Sequence, residues 1–415
     1  MMREAKSSGI AWIGTIPKCW ETDKLKYHLR RNEPRNPGDV VVLSLYRELG
    51  VIPKDSRDDN HNVTSEDTSK YKYVRPGDFV INKMKAWQGS VAVSEYEGIV
   101  SPAYFVYEFT DDTIFKRYFH YLLRSCYKDE FMRLSGGIRV GQWDLPADAL
   151  ENTPILIPPM DEQCRIADFL DTKCAEIDAL TADIQTQIDT LEQYKRSVIT
   201  ETVTKGLNPD AEMKDSGIQW IGDMPAHWGV IRGKYILRYM QKPVRENDGV
   251  ITCFRDGEVT LRSNRREDGF TMSDKEIGYQ GIDVDDLVIH GMDGFAGAIG
   301  ISDSRGKASP VLNVLDTDQC KRYIMYYLRS MAYSDVFLAL ATGIRVRSCD
   351  LRWNKLAELS YPVPPLDEQN AIVKHIDSVL SKADAVIADK KAQLVTLDEY
   401  KKSLIFEYVT GKKEV

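Results

Sequence analysis

The strongest constraint on the fold of this chain is an internal repeat of domain size. The string SGIAWIGTIPKCW at residues 8–20 returns as SGIQWIGDMPAHW at residues 216–228, with eight of thirteen positions identical. Trp12 and Trp220 stand 208 residues apart, which is about half of the 415-residue chain. A period of this length is too long for a solenoid of short repeats, so it predicts two copies of one module.

The repeat continues beyond this tryptophan string. GDFVINKMKAWQGSVAVS at residues 77–94 aligns with DDLVIHGMDGFAGAIGIS at residues 285–302 at the same offset. Farther along the chain the offset becomes 206, where IPPMDEQ at residues 157–163 matches VPPLDEQ at residues 363–369. The shared order of these strings indicates that both copies have the same fold.

The composition is that of an ordinary globular protein with a net charge of −8. A net acidic chain is not typical of a free-standing nucleic-acid binder, although the charge balance does not exclude a local basic face. Seven cysteines without a C-x-x-C pair argue against a disulfide framework and a zinc site, and six scattered histidines indicate no metal ligand set. No apolar run is long enough to span a membrane and no signal peptide is recognisable, so we expect a cytoplasmic protein.

Each copy has two parts, and the first predicts an α+β fold. Short β-branched runs alternate with glycine, proline, asparagine and aspartate, which is typical of mixed strands and helices. Strands are predicted at residues 79–84, 90–94 and 103–109. Apolar spacing predicts helices at residues 115–134 and 321–340.

The second part of each copy is a long helix with apolar residues seven positions apart. A PP-x-DEQ string precedes each helix and places acids in the first turn, where they face the positive end of the helix dipole. Sustained heptads predict that the two helices pair with each other, and the alternative is a helix packed on its own globular domain. The coiled-coil positions are Leu170, Ile177, Ile184, Leu191, Val198, Ile376, Leu380, Ile387, Leu394, Leu397 and Leu404. Ile166, Leu180, Ile188 and Tyr194 are expected to widen the stripe of the first helix.

The sequence contains no recognisable catalytic motif. There is no P-loop, no G-x-G-x-x-G after a strand, and no N-P-P-Y or D-P-P-Y string typical of adenine methyltransferases. The glycine-rich GMDGFAGAIG at residues 291–300 loses most of its glycines in the matching KMKAWQGSVA at residues 83–92. We therefore interpret this segment as a strand and turn scaffold rather than a phosphate cradle, and we predict no catalytic residue and no metal site.

The strings SGI-x-WIG-x-x-P-x-x-W, NKMKAWQG…GIVSPAY, HGMDGFAGAIG…SP and PP-x-DEQ together resemble the specificity subunits of type I restriction–modification systems, over essentially the whole chain. The resemblance implies two similar mixed α/β target recognition domains, each reading one half of a bipartite DNA target with a non-specific spacer. It also implies that the two long helices form an antiparallel coiled coil in a pseudo-twofold repeat. The expected domains are 1–158 and 207–364 for recognition, 159–206 for the central helix and 365–415 for the distal helix.

The resemblance further implies a non-catalytic subunit whose partners are double-stranded DNA and other protein subunits. Two methyltransferase subunits would carry S-adenosylmethionine, and restriction subunits would carry ATP and Mg. No cofactor is expected on this chain, and no membrane partner. Two other hypotheses remain open: a single-chain nuclease or methyltransferase with an unrecognised active site, and a coiled-coil scaffold without sequence-specific DNA binding.

Positions that differ between the copies inside a shared frame are candidates for reading different bases. Amide, ammonium and carboxylate groups can hydrogen-bond to base edges in the major groove. The alternative is a variable solvated loop that does not contact DNA. The candidates are Asn82, Lys83, Lys85, Trp87 and Gln88 in the first copy and His290, Asp293 and Phe295 in the second.

Arginines at matching positions are candidates for contacts to phosphates, which position a protein on DNA without specifying sequence. They are Arg47, Arg139, Arg255 and Arg345. The alternative for these arginines is an ion pair within the domain, such as one with the nearby Glu48 or Asp256.

Overall fold

The computed structural model describes residues 3–38, 40–47, 49–56, 64–65, 67–137, 143–265, 277–340 and 351–415. The chain divides into two compact units. Unit 1 comprises Met1–Ile184 and Ala392–Val415, and unit 2 comprises Gln185–Lys391. Each unit therefore contains one copy of the repeat together with a segment of each long helix. The domain bounds expected from the resemblance, which separate each lobe from its helix, remain a prediction.

The described part of unit 1 consists of short strands and helices that lead into the first long helix. In chain order its elements are β1 (Ala5–Ser7), β2 (Thr15–Pro17), β3 (Glu21–Lys24), β4 (Leu29–Arg31), β5 (Leu43–Tyr46), β6 (Gly50–Pro53), β7 (Lys72–Val74), β8 (Phe79–Asn82), β9 (Val91–Val93), β10 (Gly98–Val100), β11 (Tyr104–Phe109), α1 (Lys116–Cys126), α2 (Lys128–Leu134), α3 (Ala147–Glu151), β12 (Pro154–Ile157) and α4 (Met160–Lys205).

A four-stranded antiparallel sheet in the order β4-β11-β8-β9 lies at the centre of unit 1. Successive side chains of a strand point to opposite faces, so Phe79 and Ile81 of β8 lie on one face and Val80 on the other. The first face joins the core that includes α1, and the second packs against the β5–β6 hairpin. Because both faces are buried, β8 is held rigidly up to the loop that follows it.

Unit 2 carries the second copy. In chain order its described elements are β13 (Met213–Asp215), β14 (Asp223–Pro225), β15 (Gly229–Arg232), α5 (Gly233–Ile236), β16 (Leu237–Met240), β17 (Ile251–Cys253), β18 (Val259–Leu261), β19 (Gln280–Ile282), β20 (Leu287–His290), β21 (Ile299–Ile301), β22 (Gly306–Ala308), β23 (Leu312–Thr317), α6 (Lys321–Tyr333), α7 (Val336–Ala339), α8 (Trp353–Glu358), β24 (Ser360–Val363) and α9 (Leu366–Val409), the last of which ends in unit 1.

The strand pairing of unit 1 recurs in unit 2. Its central antiparallel sheet has the order β16-β23-β20-β21, and its smaller strand pairs also match those of unit 1. Leu287 and Ile289 of β20 enter the core with α6, whereas Val288 packs against the β17–β18 hairpin. The internal repeat read from the sequence is therefore a repeat of fold.

The strands predicted at residues 79–84, 90–94 and 103–109 are present as β8, β9 and β11. Each of the two helices predicted from apolar spacing is broken into two pieces. α1 and α2 meet at Tyr127, and Asp335 separates α6 from α7 with a left-handed φ of 55°. A left-handed residue cannot continue an α-helix, and apolar spacing alone does not reveal such a break.

The two long helices run antiparallel inside each unit. In unit 1 the rings of Phe169 and Tyr408 lie 4.4 Å apart between centroids, and Lys401 Nζ donates to Asp178 at 2.6 Å. Residue numbers therefore rise along α4 while they fall along α9. No helix among the described residues combines the length and the apolar character needed to cross a membrane.

Unit 2 repeats the same helix contact. Lys195 Nζ donates to Asp384 at 2.6 Å, and Lys390 donates to the side chain of Gln187. Asp384 lies 206 residues after Asp178, and Lys401 lies 206 residues after Lys195. The ion pair of one unit is thus the counterpart of the ion pair in the other, with the two helices exchanged.

The predicted coiled-coil positions differ in burial. Leu180 and Tyr194, which were expected to widen the stripe of α4, are 47% and 51% exposed, and that expectation is wrong. Cys174 and Ile188, which follow Leu170 and Ile184 by four positions, are buried. Leu180 and Tyr194 follow the heptad positions before them by three, and that spacing turns them outward. The buried predicted positions are Leu170, Ile177, Ile184, Ile376, Ile387 and Leu404. The half-buried positions are Leu191, Val198, Leu380, Leu394 and Leu397.

A buried glutamine fixes the start of each long helix to its own unit. Gln163, which is fully buried, accepts a hydrogen bond from Phe115 N at 2.8 Å and donates to Pro158 O at 2.9 Å. Gln369 is also fully buried and donates to Pro364 O at 2.9 Å. The last residue of each PP-x-DEQ string therefore joins the helix to the lobe by hydrogen bonds.

Candidate nucleic-acid interface

The candidate positions for base contacts lie in or directly before one loop in each unit. Loop 83–89 follows β8 in unit 1, and loop 291–297 follows β20 in unit 2. Each loop contains one 3₁₀ turn and ends at a glycine with a left-handed φ, 85° at Gly89 and 96° at Gly297. Side chains are disfavoured at such angles, so both loops close in the same way.

The backbones of the two loops make the same hydrogen bonds to their surroundings. The first residue of each loop donates its N–H to the residue just before β11 in unit 1 or β23 in unit 2. Its carbonyl accepts from the segment that follows α2 in unit 1 or α7 in unit 2. These bonds are Lys83 N to Ala103 O, Leu145 N to Lys83 O, Gly291 N to Val311 O and Leu351 N to Gly291 O, at 2.8 to 3.1 Å.

The residue directly before each loop caps it. Asn82 is 8% exposed, and its Oδ1 accepts a hydrogen bond from Met84 N at 3.1 Å. His290 Nδ1 accepts from Asp293 N at 3.0 Å and from Met292 N at 3.3 Å. Both candidate side chains are thus engaged in holding the loop. Because Nδ1 of His290 is an acceptor, the ring proton lies on Nε2.

The charge state of His290 follows from its surroundings. Burial lowers the pKa of His290 below its usual 6.5, and the nearby Arg255 lowers it further, while the carboxylate of Asp293 raises it by less. The ring is therefore neutral near pH 7, which keeps Nδ1 available as the acceptor that closes loop 291–297.

The two lysines of loop 83–89 have different environments. Lys83 Nζ forms an ion pair with Asp144 at 3.0 Å. The side chain of Lys85 is exposed, and its ammonium group makes no hydrogen bond or ion pair with the residues that the structure describes. Lys85 is therefore the cation of this loop that is free to meet an outside acceptor.

The aromatic candidates are partly buried. Trp87 donates its indole N–H to Met84 O at 3.1 Å, and its ring meets that of Trp143 edge to face at 5.5 Å. Phe295 packs against the core of unit 2. These rings stabilise their loops, and edge-to-face pairs typically contribute about 0.5–1.5 kcal/mol beyond burial.

Two of the candidate phosphate-binding arginines contact the same loops. Arg47, in the turn of the β5–β6 hairpin, donates to the amide oxygen of Gln88. Arg255, in the turn of the β17–β18 hairpin, donates to Asp293 Oδ1 at 2.9 Å. Arg255 thus pairs with Asp293 rather than with Asp256, and Glu48, the suggested partner of Arg47, lies outside the described residues.

The other two candidate arginines, Arg139 and Arg345, lie outside the described residues. The sequence analysis missed two side chains that complete the site of unit 1, Trp143 and Asp144. Arg124 of α1 and Arg329 of α6, which contact the hairpins, were not predicted either. The sequence did contain a signal for them, because both arginines occupy the same place in the matching strings LLRS and YLRS.

The loops offer hydrogen-bonding groups rather than reactive ones. Among the residues that the structure describes, no three histidine, cysteine, aspartate or glutamate side chains come together in a group that could hold a metal ion. The polar side chains on the surface of the loops carry ammonium, amide and carboxylate groups, which match the donor and acceptor patterns of base edges.

Residues 28–190 match the family model of the type I restriction modification DNA specificity domain. A chain of Methanocaldococcus jannaschii named as the specificity subunit of the type I restriction enzyme MjaX is 24% identical over 97% of this chain and 96% of its own length. Loop 83–89 lies inside the matched range.

Two solved structures have the same fold. A chain solved for the assembly and conformational transition of the type I R-M system has a TM-score of 0.70 at 15% identity, and it covers 96% of this chain and 99% of its own. The HsdS subunit from Thermoanaerobacter tengcongensis has a TM-score of 0.51 at 15% identity, covering 96% and 98%. The prediction of two mixed α/β domains joined by long paired helices is confirmed.

Proposed function

We propose that this chain is a specificity subunit of a type I restriction–modification system and that each of its two units reads one half of a bipartite DNA target. Loop 83–89 of unit 1 and loop 291–297 of unit 2 are the segments proposed to reach base edges. Each unit would contact DNA through its own loop, so the base pairs between the two half-sites would not be contacted by either loop.

One observation carries this proposal: the two loops share a backbone and differ in side chains. The same backbone hydrogen bonds hold Lys83 and Gly291, and Gly89 and Gly297 close the turns with similar angles. A rigid, repeated frame with exchanged side chains is the arrangement needed to present different hydrogen-bonding groups to two different sequences.

The candidates for base contact follow from exposure and free bonding capacity. The exposed ammonium group of Lys85 has no partner among the described residues, and Gln88 keeps its amide N–H groups. Asp293 offers carboxylate lone pairs in unit 2. Asn82 and His290 are proposed to act indirectly, since both cap their loops.

We further propose that the chain is not catalytic and acts with double-stranded DNA and other subunits. Two methyltransferase subunits carrying S-adenosylmethionine, and restriction subunits carrying ATP and Mg, would supply the chemistry. A cytoplasmic location is part of the proposal and agrees with the six described cysteines, all of which are free.

The direct test is to co-express the chain with the methyltransferase subunit of its system and to map methylated adenines across the genome. A single bipartite motif is the expected result. Methylation that is absent, or scattered without a motif, would overturn the proposal and leave a non-specific scaffold.

A second measurement separates the enzymatic alternative. The purified chain alone should transfer no label from S-adenosylmethionine and should not cut DNA in the presence of Mg. Transfer or cleavage by the chain alone would make it a single-chain methyltransferase or nuclease, and the subunit proposal would fail.

A further inference from the structure

We propose that Arg47 and Arg255 are positioning residues, each of which turns one loop side chain so that it offers a defined group to a base. The inference rests on the proposed function and adds the chemistry of the reading. Unit 1 would present an amide donor from Gln88, and unit 2 a carboxylate acceptor from Asp293. The two arginines would then act through these side chains rather than on phosphates.

The contact in unit 1 fixes the orientation of an amide. A guanidinium group has only donors, so the group of Gln88 that faces Arg47 must be its carbonyl oxygen. The NH₂ group of Gln88 then points to the other side of the amide. Without Arg47, the amide could turn over and present either its oxygen or its nitrogen to DNA.

The arginine is itself held in place. Arg124 of α1 donates to the backbone carbonyl of Arg47, which anchors the hairpin turn on the helix. Burial lowers the pKa of the adjacent His120 to about 4, and the nearby Arg124 lowers it further, so the ring beside this guanidinium is neutral. A preorganised donor loses little conformational freedom when DNA binds.

The corresponding helix residue braces the hairpin of unit 2. Arg329 of α6 lies 205 residues after Arg124, and it donates to Ile299 O at 2.8 Å and to Asp256 O at 3.2 Å. The turn that carries Arg255 is thereby fixed on the same side of the sheet. Both units therefore use a helix arginine to fix the hairpin turn, although the loop side chains that the turn contacts, Gln88 and Asp293, differ.

The contact in unit 2 orients an acceptor. Arg255 Nη2 donates to Asp293 Oδ1 at 2.9 Å, and the Asp293 side chain is 35% exposed. An ionised carboxylate has only acceptors, with about four lone-pair sites on its two oxygens, so it can accept a second donor beside the arginine. Ala296, which stands at the position of Gln88, has no polar group to offer.

These two groups favour different base edges. Guanine presents two acceptors in the major groove, O6 and N7, and these suit the outward NH₂ group of Gln88. Cytosine presents its N4 amino group as a donor, which suits the carboxylate of Asp293. We therefore assign a guanine contact to Gln88 and a cytosine contact to Asp293.

A contact from these arginines to phosphate is the alternative. In both units one guanidinium N–H donates to a side chain of the loop, which ties the arginine to that side chain. A phosphate contact shared by both units would also not explain why the two arginines have different partners. Arg47 contacts Gln88, whereas Arg255 contacts Asp293, which stands at a different position of its loop.

The test is a double-mutant cycle on the complex of the full chain with its methyltransferase subunit. Binding is measured to the wild-type site and to duplexes with each base pair of one half-site replaced, over a range of salt. The variants are Arg47→Ala, Gln88→Ala and the double variant. Arg255→Ala is the matched control, because it should affect only the other half-site.

We expect Arg47→Ala and Gln88→Ala each to reduce discrimination at one guanine position by roughly tenfold. The double variant should lose no more than Gln88→Ala alone, and the salt dependence should keep its slope. Additive losses would mean that Arg47 reads DNA itself. Equal losses on all sequences, with the slope reduced by about 0.9, would mean a phosphate contact. Either result overturns the inference.

One further variant decides the case in which Arg47→Ala disturbs folding and both half-sites are lost. Gln88→Glu keeps a partner for Arg47 but replaces the amide donor with an acceptor. The preferred base at that position should change from guanine to cytosine or adenine, which present an amino group in the major groove. An unchanged preference for guanine overturns the inference. If the wild-type complex selects no sequence at all, it is the proposed function that fails.

Discussion

Trp20 donates its indole N–H to a carboxylate oxygen of Glu162 at 3.0 Å. The counterpart in unit 2 is Trp228, which donates to Glu368 at 3.1 Å. Both tryptophans are buried, and both glutamates lie in the first turn of a long helix. The repeated tryptophan string and the repeated PP-x-DEQ string are therefore two sides of one contact that joins each lobe to its helix.

Loss of this contact should destabilise unit 1. Glu162→Ala leaves the buried N–H of Trp20 without an acceptor and removes the partner of Arg3, so we expect a loss of about 1–3 kcal/mol in the free energy of unfolding. Denaturant unfolding measures it. Asp161→Ala in the same turn is the control, because its exposed side chain should change stability by less than about 0.5 kcal/mol. Equal effects of the two variants would contradict the contact.

The same contact predicts a dependence on pH. Burial raises the pKa of Glu162, but hydrogen bonds from Arg3 and Trp20 outweigh this and hold the pKa below its usual 4.5. A carboxyl with a lowered pKa stabilises the fold fully above the unfolded value and loses this contribution as the pH falls through the folded value. The stability advantage of the wild type over Glu162→Gln should therefore shrink below about pH 4.5. A constant difference across this range would refute the assignment.

Loop 291–297 should respond to mild acid, whereas loop 83–89 should not. His290 holds its loop through an acceptor nitrogen, and its lowered pKa means that this cap is complete above pH 6.5 and is lost as the pH falls through the lower folded value. Asn82 caps the other loop and does not titrate in this range. Discrimination at one half-site should fall first in acid, and His290→Asn should remove this response. Parallel loss at both half-sites would contradict the prediction.

The paired helices should be sensitive to one residue and tolerant of its neighbour. Ile387 is 4% exposed and Val386 is 45% exposed, although they are adjacent in α9. Ile387→Ala removes buried methyl groups and should cost about 2–5 kcal/mol. Val386→Ala should change the free energy of unfolding by less than about 0.5 kcal/mol. Similar unfolding midpoints for the two variants would exclude this packing of α9.

The sequence predicted much of the fold because duplication supplies its own comparison. The offset between the copies located the frame and the loop that differs inside it, a β-branched run located β8, and the heptad pattern located α4. The breaks at Tyr127 and Asp335 were not predictable, because they depend on backbone angles that apolar spacing does not encode.

The contacts within the site could not be predicted because they join residues that are distant in sequence. Glu162 reaches Trp20 across 142 positions, and Arg47 reaches Gln88 across 41. The acids of PP-x-DEQ were interpreted through the helix dipole alone, and the side chain of Glu162 was found to serve a tryptophan as well. Patterns within a short segment predict whether it forms a helix or a strand. Hydrogen-bond partners that are distant in sequence can be identified only from the folded unit.

The most direct test of the account is to give both units the same recognition segment. β3 pairs with β12 in unit 1 as β15 pairs with β24 in unit 2, so residues 25–153 can be replaced by residues 233–359 between matched strands. Methylated adenines are then mapped in cells that carry this chain and its methyltransferase subunit. The account predicts a motif with two copies of the wild-type second half-site. A motif that keeps the wild-type first half-site would contradict the claim that each unit reads its own half.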